Sequence, residues 1–266
     1  MAESVSVAGI RLVYDTAGAG DPPMIFIHGW CCDRSFFAPQ LAHFAAGHAV
    51  AALDLRGHGD SGRPEPRPGV YDMDVLADDV LSVAAAAGFG RPVLVGHSLG
   101  ALVGLTCAAR VRAVRALVMV DPAPITNEKA KKYFRESASA VAADQDGSWR
   151  KNFVEGMFLR TDVAWRAAII ERMPTANPPG IAAEVMRVMG EFDGAVLAEV
   201  SAPVLSIGSA GPANRSADLR RLCPDITVGQ TVGSGHFNML EVPEQVNAMI
   251  ERFLAVNGLS GPAPSS

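Results

Sequence analysis

Short runs in which nearly every position is apolar alternate along the chain with longer Ala- and Leu-rich stretches of helical period. That alternation is the pattern of parallel strands joined by crossover helices. It predicts strands at 4–7, 10–14, 24–27, 49–53, 93–96, 116–120, 204–207 and 226–231. The central ones show no polar alternation, as expected of strands covered on both faces. Helices are predicted at 73–87, 99–110, 216–222 and 243–256, with Pro243 suited to a first turn. The alternation stops after Asp121-Pro122-Ala123-Pro124 and resumes at Ser201-Ala202-Pro203. Between them lie only helix-like pieces, broken at Gly147, at Thr161-Asp162 and at Asn177-Pro178-Pro179-Gly180. The reading is an α/β protein with a doubly wound, mostly parallel sheet built from residues 1–122 and 201–256. A helical cap spans 123–200, and 257–266 form a Gly/Pro/Ser-rich tail.

Length and composition allow one large α/β domain or two small ones and remove several function classes. The 266 residues are 49% hydrophobic and 19% charged, with a mean hydropathy of +0.18, enough apolar surface to fold around a core. A net charge of −5 gives no positive field for a nucleic-acid backbone. No apolar run approaches the ~20 residues that span a bilayer, so no membrane partner is expected. Met1-Ala2-Glu3-Ser4 lacks the basic and apolar regions of a secretory signal, which makes the cytosol the default address. Cys31, Cys32, Cys107 and Cys223 have no metal-type spacing and read as free thiols. A homodimer is allowed by the sequence and not required by it.

Candidate chemistry concentrates at three strand ends. Gly96-His97-Ser98-Leu99-Gly100 places a G-x-S-x-G between a predicted strand and a predicted helix, the context that gives the motif meaning. Two glycines leave room for a sharp turn that lifts Ser98 clear of the sheet, and the helix start aims N–H groups at the same space. The competing reading is a serine that only caps the helix. Upstream, Ile25-Phe26-Ile27-His28-Gly29-Trp30 runs a strand into a glycine turn. The amides of Trp30 and Leu99 are assigned as the two donors of an oxyanion hole, each worth ~3 kcal/mol in a transition state. Gly233-Ser234-Gly235-His236-Phe237 supplies a glycine-flanked histidine with an unperturbed pKa near 6.5, suited to general base catalysis. Of the other histidines, His43 and His48 read as surface residues, and His28, His58 and His97 as parts of turns or strand ends.

These motifs, with Asp54-Leu55-Arg56-Gly57-His58-Gly59-Asp60-Ser61, resemble the α/β-hydrolase superfamily over nearly the whole chain up to about Val256. The resemblance implies an eight-stranded sheet whose second strand is antiparallel, a cap after the sixth strand, and a Ser-acid-His triad in that chain order. It also makes 54–61 a structural loop. Capped relatives usually place the acid in a Gly-x-x-Asp turn after the seventh strand, but here Gly208-Ser209-Ala210-Gly211-Pro212-Ala213-Asn214 holds no carboxylate. Asp121, at the end of the sixth strand, is an alternative site used by some members and is taken as the acid. Asp218 is the competing choice, although a carboxylate near a helix start is favoured by the helix dipole alone.

The catalytic set is therefore Ser98, His236 and Asp121, with Trp30 and Leu99 as oxyanion donors and no metal or organic cofactor. The expected substrate is a small, mostly apolar carboxylic ester or lactone. Two other functions share the same residues. Cofactor-independent dioxygenases of 3-hydroxy-4-oxoquinolines have this fold, an acid after the sixth strand, and a similar His-Gly-Trp-Cys run, here His28 to Cys31. They carry a histidine after the elbow serine where this chain has Leu99. A small-molecule receptor on the same fold is the non-enzymatic alternative. Of the cap aromatics Tyr133, Phe134, Trp149, Phe153, Phe158, Trp165 and Phe192, most should pack the cap and one or two should line a pocket. Lys129, Lys131, Lys132 and Arg135 read as a solvated cap face.

Overall fold

A computed structural model describes residues 2–159 and 166–259. Eight strands, β1 (Ala2–Val7), β2 (Ile10–Ala17), β3 (Met24–Ile27), β4 (Val50–Leu53), β5 (Val93–His97), β6 (Ala116–Val120), β7 (Val204–Gly208) and β8 (Thr227–Gln230), form one sheet. Their order is β1-β2-β4-β3-β5-β6-β7-β8. β2 runs antiparallel to both its neighbours, and β3 to β8 pair in parallel. Every residue of β3 to β7 is buried, which is why their sequences lack alternation. Helices cover both faces.

The predicted helices form at Met73–Ala86, Leu99–Arg110, Ser216–Leu222 and Pro243–Val256. A helix at Ala38–Phe44, led by a 3-10 turn at Arg34–Phe37, was not expected from the pattern. It is only seven residues long, is preceded by Phe37, and has no side-chain cap bond, so it carries little local signal. Between β6 and β7 the cap consists of helices Glu128–Ala143, Ser148–Glu155, Arg166–Ala176 and Pro179–Glu191, then a 3-10 turn at Gly194–Glu199. Trp165 and the break at Thr161-Asp162 lie outside the described residues.

The cap is held by a buried ion pair with all-round hydrogen bonding. Arg150, 1% exposed, donates to the Asp144 carboxylate (2.8 Å), to the Asp144 carbonyl (2.8 Å) and to the Asn177 carbonyl (2.7 Å). Such pairing is needed before a guanidinium can be buried without large cost. The Asn177 amide in turn donates to the Gly57 carbonyl, tying the cap to the loop after β4. Lys131 departs from the expected solvated face: it is buried and paired with Glu128 (2.6 Å), while Lys129, Lys132 and Arg135 remain exposed.

Below the rim, His28 and His58 are buried with ring centroids 5.0 Å apart. His28 Nδ1–H donates to the Gly29 carbonyl (2.8 Å), and Nε2 accepts from Leu55 N–H (3.0 Å). Only a neutral ring can do both. Burial pushes the pKa of His28 down to about 4 and that of His58 down to about 3. His48 is also buried rather than superficial, with Nδ1–H donating to the Pro22 carbonyl (2.8 Å).

In the unfolded chain these rings titrate near 6.5, so below that pH the unfolded state binds protons that the folded state refuses. Stability from His28 and His58 is complete above pH 6.5 and is lost as pH falls toward 4 and then 3. The thermal midpoint should decline across this window, and His58→Gln should flatten the decline. A midpoint whose slope is the same in wild type and His58→Gln would contradict this reading.

Candidate active site

The elbow at the end of β5 is built from two close backbone contacts. A Cβ on Gly96 would lie 2.1 Å from the Gly100 carbonyl oxygen, and one on Gly100 would lie 2.0 Å from the Ile27 carbonyl oxygen. Only glycine fits at either place, so the strand can turn into its helix within the width of one residue. Ser98 sits at the apex with φ 53° and ψ −113°, outside the geometry of a capping residue, and its side chain makes no cap bond. The helix-cap reading of this serine is excluded. Ser98 N–H donates to the Val120 carbonyl (3.1 Å), and the Ser98 carbonyl accepts from Ala123 N–H (3.2 Å). Both bonds lead to the stretch that carries Asp121.

Asp121 follows β6 with φ 37°, and its side chain is 5% exposed. Oδ2 lies 2.6 Å from His236 Nδ1, and Oδ1 accepts from Ser209 N–H (2.9 Å). Asp218 points elsewhere: on helix Ser216–Leu222 its carboxylate pairs with Arg221 (2.7 Å) and Arg215 (3.7 Å). The loop after β7, which has no acid of its own, supports the one on β6. Asn214 Oδ1 accepts from Ile125 N–H (2.6 Å) and Thr126 N–H (3.2 Å), and Nδ2 donates to the carbonyls of Pro122 (3.0 Å) and Ala123 (3.0 Å). One buried carboxamide thus fixes the turn between Asp121 and the cap.

The histidine loop is tied on all sides. Glu241, at the end of the short helix Asn238–Glu241, accepts from Gly235 N–H (2.7 Å) and Phe237 N–H (3.1 Å). His236 N–H donates to the Met157 carbonyl in the cap (2.9 Å), and a Cβ on Gly235 would lie 2.5 Å from that oxygen. The His236 carbonyl accepts from His97 Nε2–H (2.9 Å), with the two rings 4.6 Å apart. His97 is buried, and desolvation followed by the nearby His236 charge holds its pKa well below the ordinary value, so it serves as a neutral donor. Asn214, Glu241 and Met157 were not singled out in the sequence: an amide, a helix-end acid and a backbone carbonyl carry no motif.

Ser98, His236 and Asp121 all line one cavity of about 550 Å³ between the sheet rim and the cap. The Ser98 hydroxyl opens into this space and is not hydrogen-bonded to the ring at 236 among the described residues. Trp30 and Leu99 are buried beside it, and neither main-chain amide donates to a protein acceptor among the described residues. Four of the cap aromatics, Tyr133, Phe134, Phe153 and Phe158, line the cavity, more than the one or two expected. Trp149 stacks behind Phe153, and Phe192 is buried away from the wall. Cys32 borders the space, and burial pushes the neighbouring Cys31 thiol up to about 12, away from the thiolate form. No cluster of His, Cys, Asp or Glu able to hold a metal ion occurs among the described residues.

The model of the alpha/beta hydrolase family matches residues 24–249. The chain is 27% identical to 2-(acetamidomethylene)succinate hydrolase of Mesorhizobium japonicum, over 94% of each chain. Among solved structures, the enol-lactonase of Burkholderia xenovorans superposes with a TM-score of 0.81 at 21% identity, covering 95% of this chain and 100% of that one. A thermophilic esterase of Thermogutta terrifontis gives 0.80 at 24% identity, covering 97% and 99%. At such identities the two structures speak to the fold.

Replacing Asn214 by Ala removes the partner of one buried and one part-buried N–H group and of two buried carbonyls. The unfolding free energy should drop by about 2 kcal/mol. An unchanged urea midpoint would show that this carboxamide does not hold the turn.

Proposed function

The chain belongs to the alpha/beta hydrolase family, and on that premise we propose that it hydrolyses small, mostly apolar carboxylic esters or lactones through Ser98, His236 and Asp121. The observation that carries the reading is the 2.6 Å contact of His236 Nδ1 with Asp121 Oδ2 on the wall of the cavity that Ser98 enters. Substrate binding brings the serine hydroxyl and His236 Nε2 to hydrogen-bond distance, a closure that catalytic pairs commonly complete only in the bound complex. The imidazole takes the hydroxyl proton as Oγ attacks the carbonyl carbon. Asp121 orients the ring and stabilises its cationic form without itself taking the proton. The N–H groups of Trp30 and Leu99 hold the oxyanion. Collapse of the tetrahedral adduct expels the alcohol, protonated by His236, and leaves an acyl-serine. Water, deprotonated by the same ring, then releases the acid.

The lining supports a neutral substrate. Among the described residues, Asp121 is the one carboxylate of the lining, beside the imidazoles of His97 and His236, and no Lys or Arg lines the cavity. The Mesorhizobium relative is named for a succinate derivative. Two carboxylates would enter this cavity without a cationic partner among the described residues, at a desolvation cost that a neutral ester avoids.

With p-nitrophenyl acetate or butyrate, Ser98→Ala and His236→Ala should each lower kcat by several powers of ten. Asp121→Asn should do likewise, while Asp218→Asn stays within about tenfold of wild type. Serine-independent turnover, or the reverse ranking of the two aspartates, would overturn the assignment. Oxygen uptake that survives Ser98→Ala but not His236→Ala would replace hydrolysis by oxygenation.

A further inference from the structure

Three of the cap's aromatic side chains, Tyr133, Phe134 and Trp149, are arranged around a fourth, Phe153. Phe153, on helix Ser148–Glu155, meets Trp30 edge-on (5.7 Å, 87°) and Phe134 edge-on (6.1 Å, 77°), and stacks with Trp149 (5.3 Å, 19°) and Tyr133 (6.3 Å, 26°). Five rings from the loop after β3 and two cap helices thus share a single centre. Phe153 is only partly buried, and with Trp30, Tyr133 and Phe134 it forms part of the cavity wall. Trp30 is itself immobilised, because its indole N–H donates to the Ala182 carbonyl (2.8 Å). The cluster therefore has a rigid edge at the turn whose amide is assigned to the oxyanion.

We propose that this cluster is a subsite for a neutral aromatic group of the substrate, with Phe153 as the residue that sets the preference. The proposal rests on the ester-hydrolase reading, because it places the ring next to the carbonyl that Ser98 attacks. A general apolar pocket would select by area alone and would favour a saturated ring over a flat one. A wall of edges and faces selects differently, since aromatic rings gain from offset and edge-to-face contact beyond the area they bury. The Arg166 guanidinium lies 5.5 Å above the Phe158 ring and is not part of the wall, so the subsite offers no anion-pairing group among the described residues.

The test compares two matched ester pairs: benzyl acetate with cyclohexylmethyl acetate, and methyl phenylacetate with methyl cyclohexylacetate. The pairs put the ring on the alcohol and on the acyl side respectively. Wild-type kcat/KM should favour the aromatic member of at least one pair by roughly fivefold. Phe153→Leu, which keeps an apolar side chain and loses the ring, should bring that ratio close to one. Should Phe153→Leu fail to fold, inhibition of wild-type p-nitrophenyl acetate turnover decides the matter: toluene should compete more strongly than methylcyclohexane. A saturated-ring preference in both pairs, or an aromatic preference that survives Phe153→Leu, would overturn the subsite. Turnover of these esters by Ser98→Ala would instead overturn the serine chemistry beneath it, so the two failures are distinguishable.

Discussion

The proposed chemistry needs an imidazole held in one orientation and one tautomer, and a carboxylate at the end of β6 is in contact with the ring that would have to be held. Asp121 reaches His236 Nδ1 at 2.6 Å while its other oxygen is occupied by Ser209 N–H. With Nδ1–H donated, the ring has only Nε2 left to act as a base. Placing the acid on β6 moves the demand for support to the next loop. The residues after β7 meet it with a backbone amide and the fully bonded carboxamide of Asn214. The left-handed backbone at Asp121 is tolerable because both sides of the turn are pinned.

The same logic explains the rest of the rim. A parallel sheet delivers β3, β5 and β6 side by side, so the loops leaving their carboxyl ends must meet. Gly96 and Gly100 let the elbow backbone pack against the end of β3, which brings Ser98 alongside the turn of Trp30. The histidine loop then answers to two partners at once, His97 beneath it and the Met157 carbonyl of the cap above it. The cap and the His236 loop are thereby coupled through the main chain, and the cap's aromatic side chains line the same cavity as Ser98, His236 and Asp121.

Much of this was legible in the sequence because it rests on local requirements. Apolar runs marked β3 to β7, since strands buried on both faces cannot carry polar positions. The elbow's glycines marked Ser98, and glycines on either side of a lone Ser marked the approach to His236. What stayed hidden depends on contacts between distant segments. Helix Ala38–Phe44 is short, carries Pro39 in its first turn as its one start signal, and packs against both β4 and helix Pro243–Val256. His48 looked superficial because its partner, the Pro22 carbonyl, is visible only once the chain is folded, and Lys131 because its helix packs against helix Pro179–Glu191, a long-range contact that its local pair with Glu128 does not reveal. The number of cap aromatics facing the cavity was underestimated for a similar reason: helical period marks an apolar face without saying what that face covers.

The bond between His236 and Asp121 can be observed directly as a far-downfield one-proton resonance in the 1H NMR spectrum, from an Nδ1 proton held in a short charge-assisted hydrogen bond. Expected is a single such signal that disappears in His236→Gln and in Asp121→Asn. A signal that is assigned to His236 yet persists undiminished in Asp121→Asn would show that another group holds the ring, and the proposed chemistry would lose its acid.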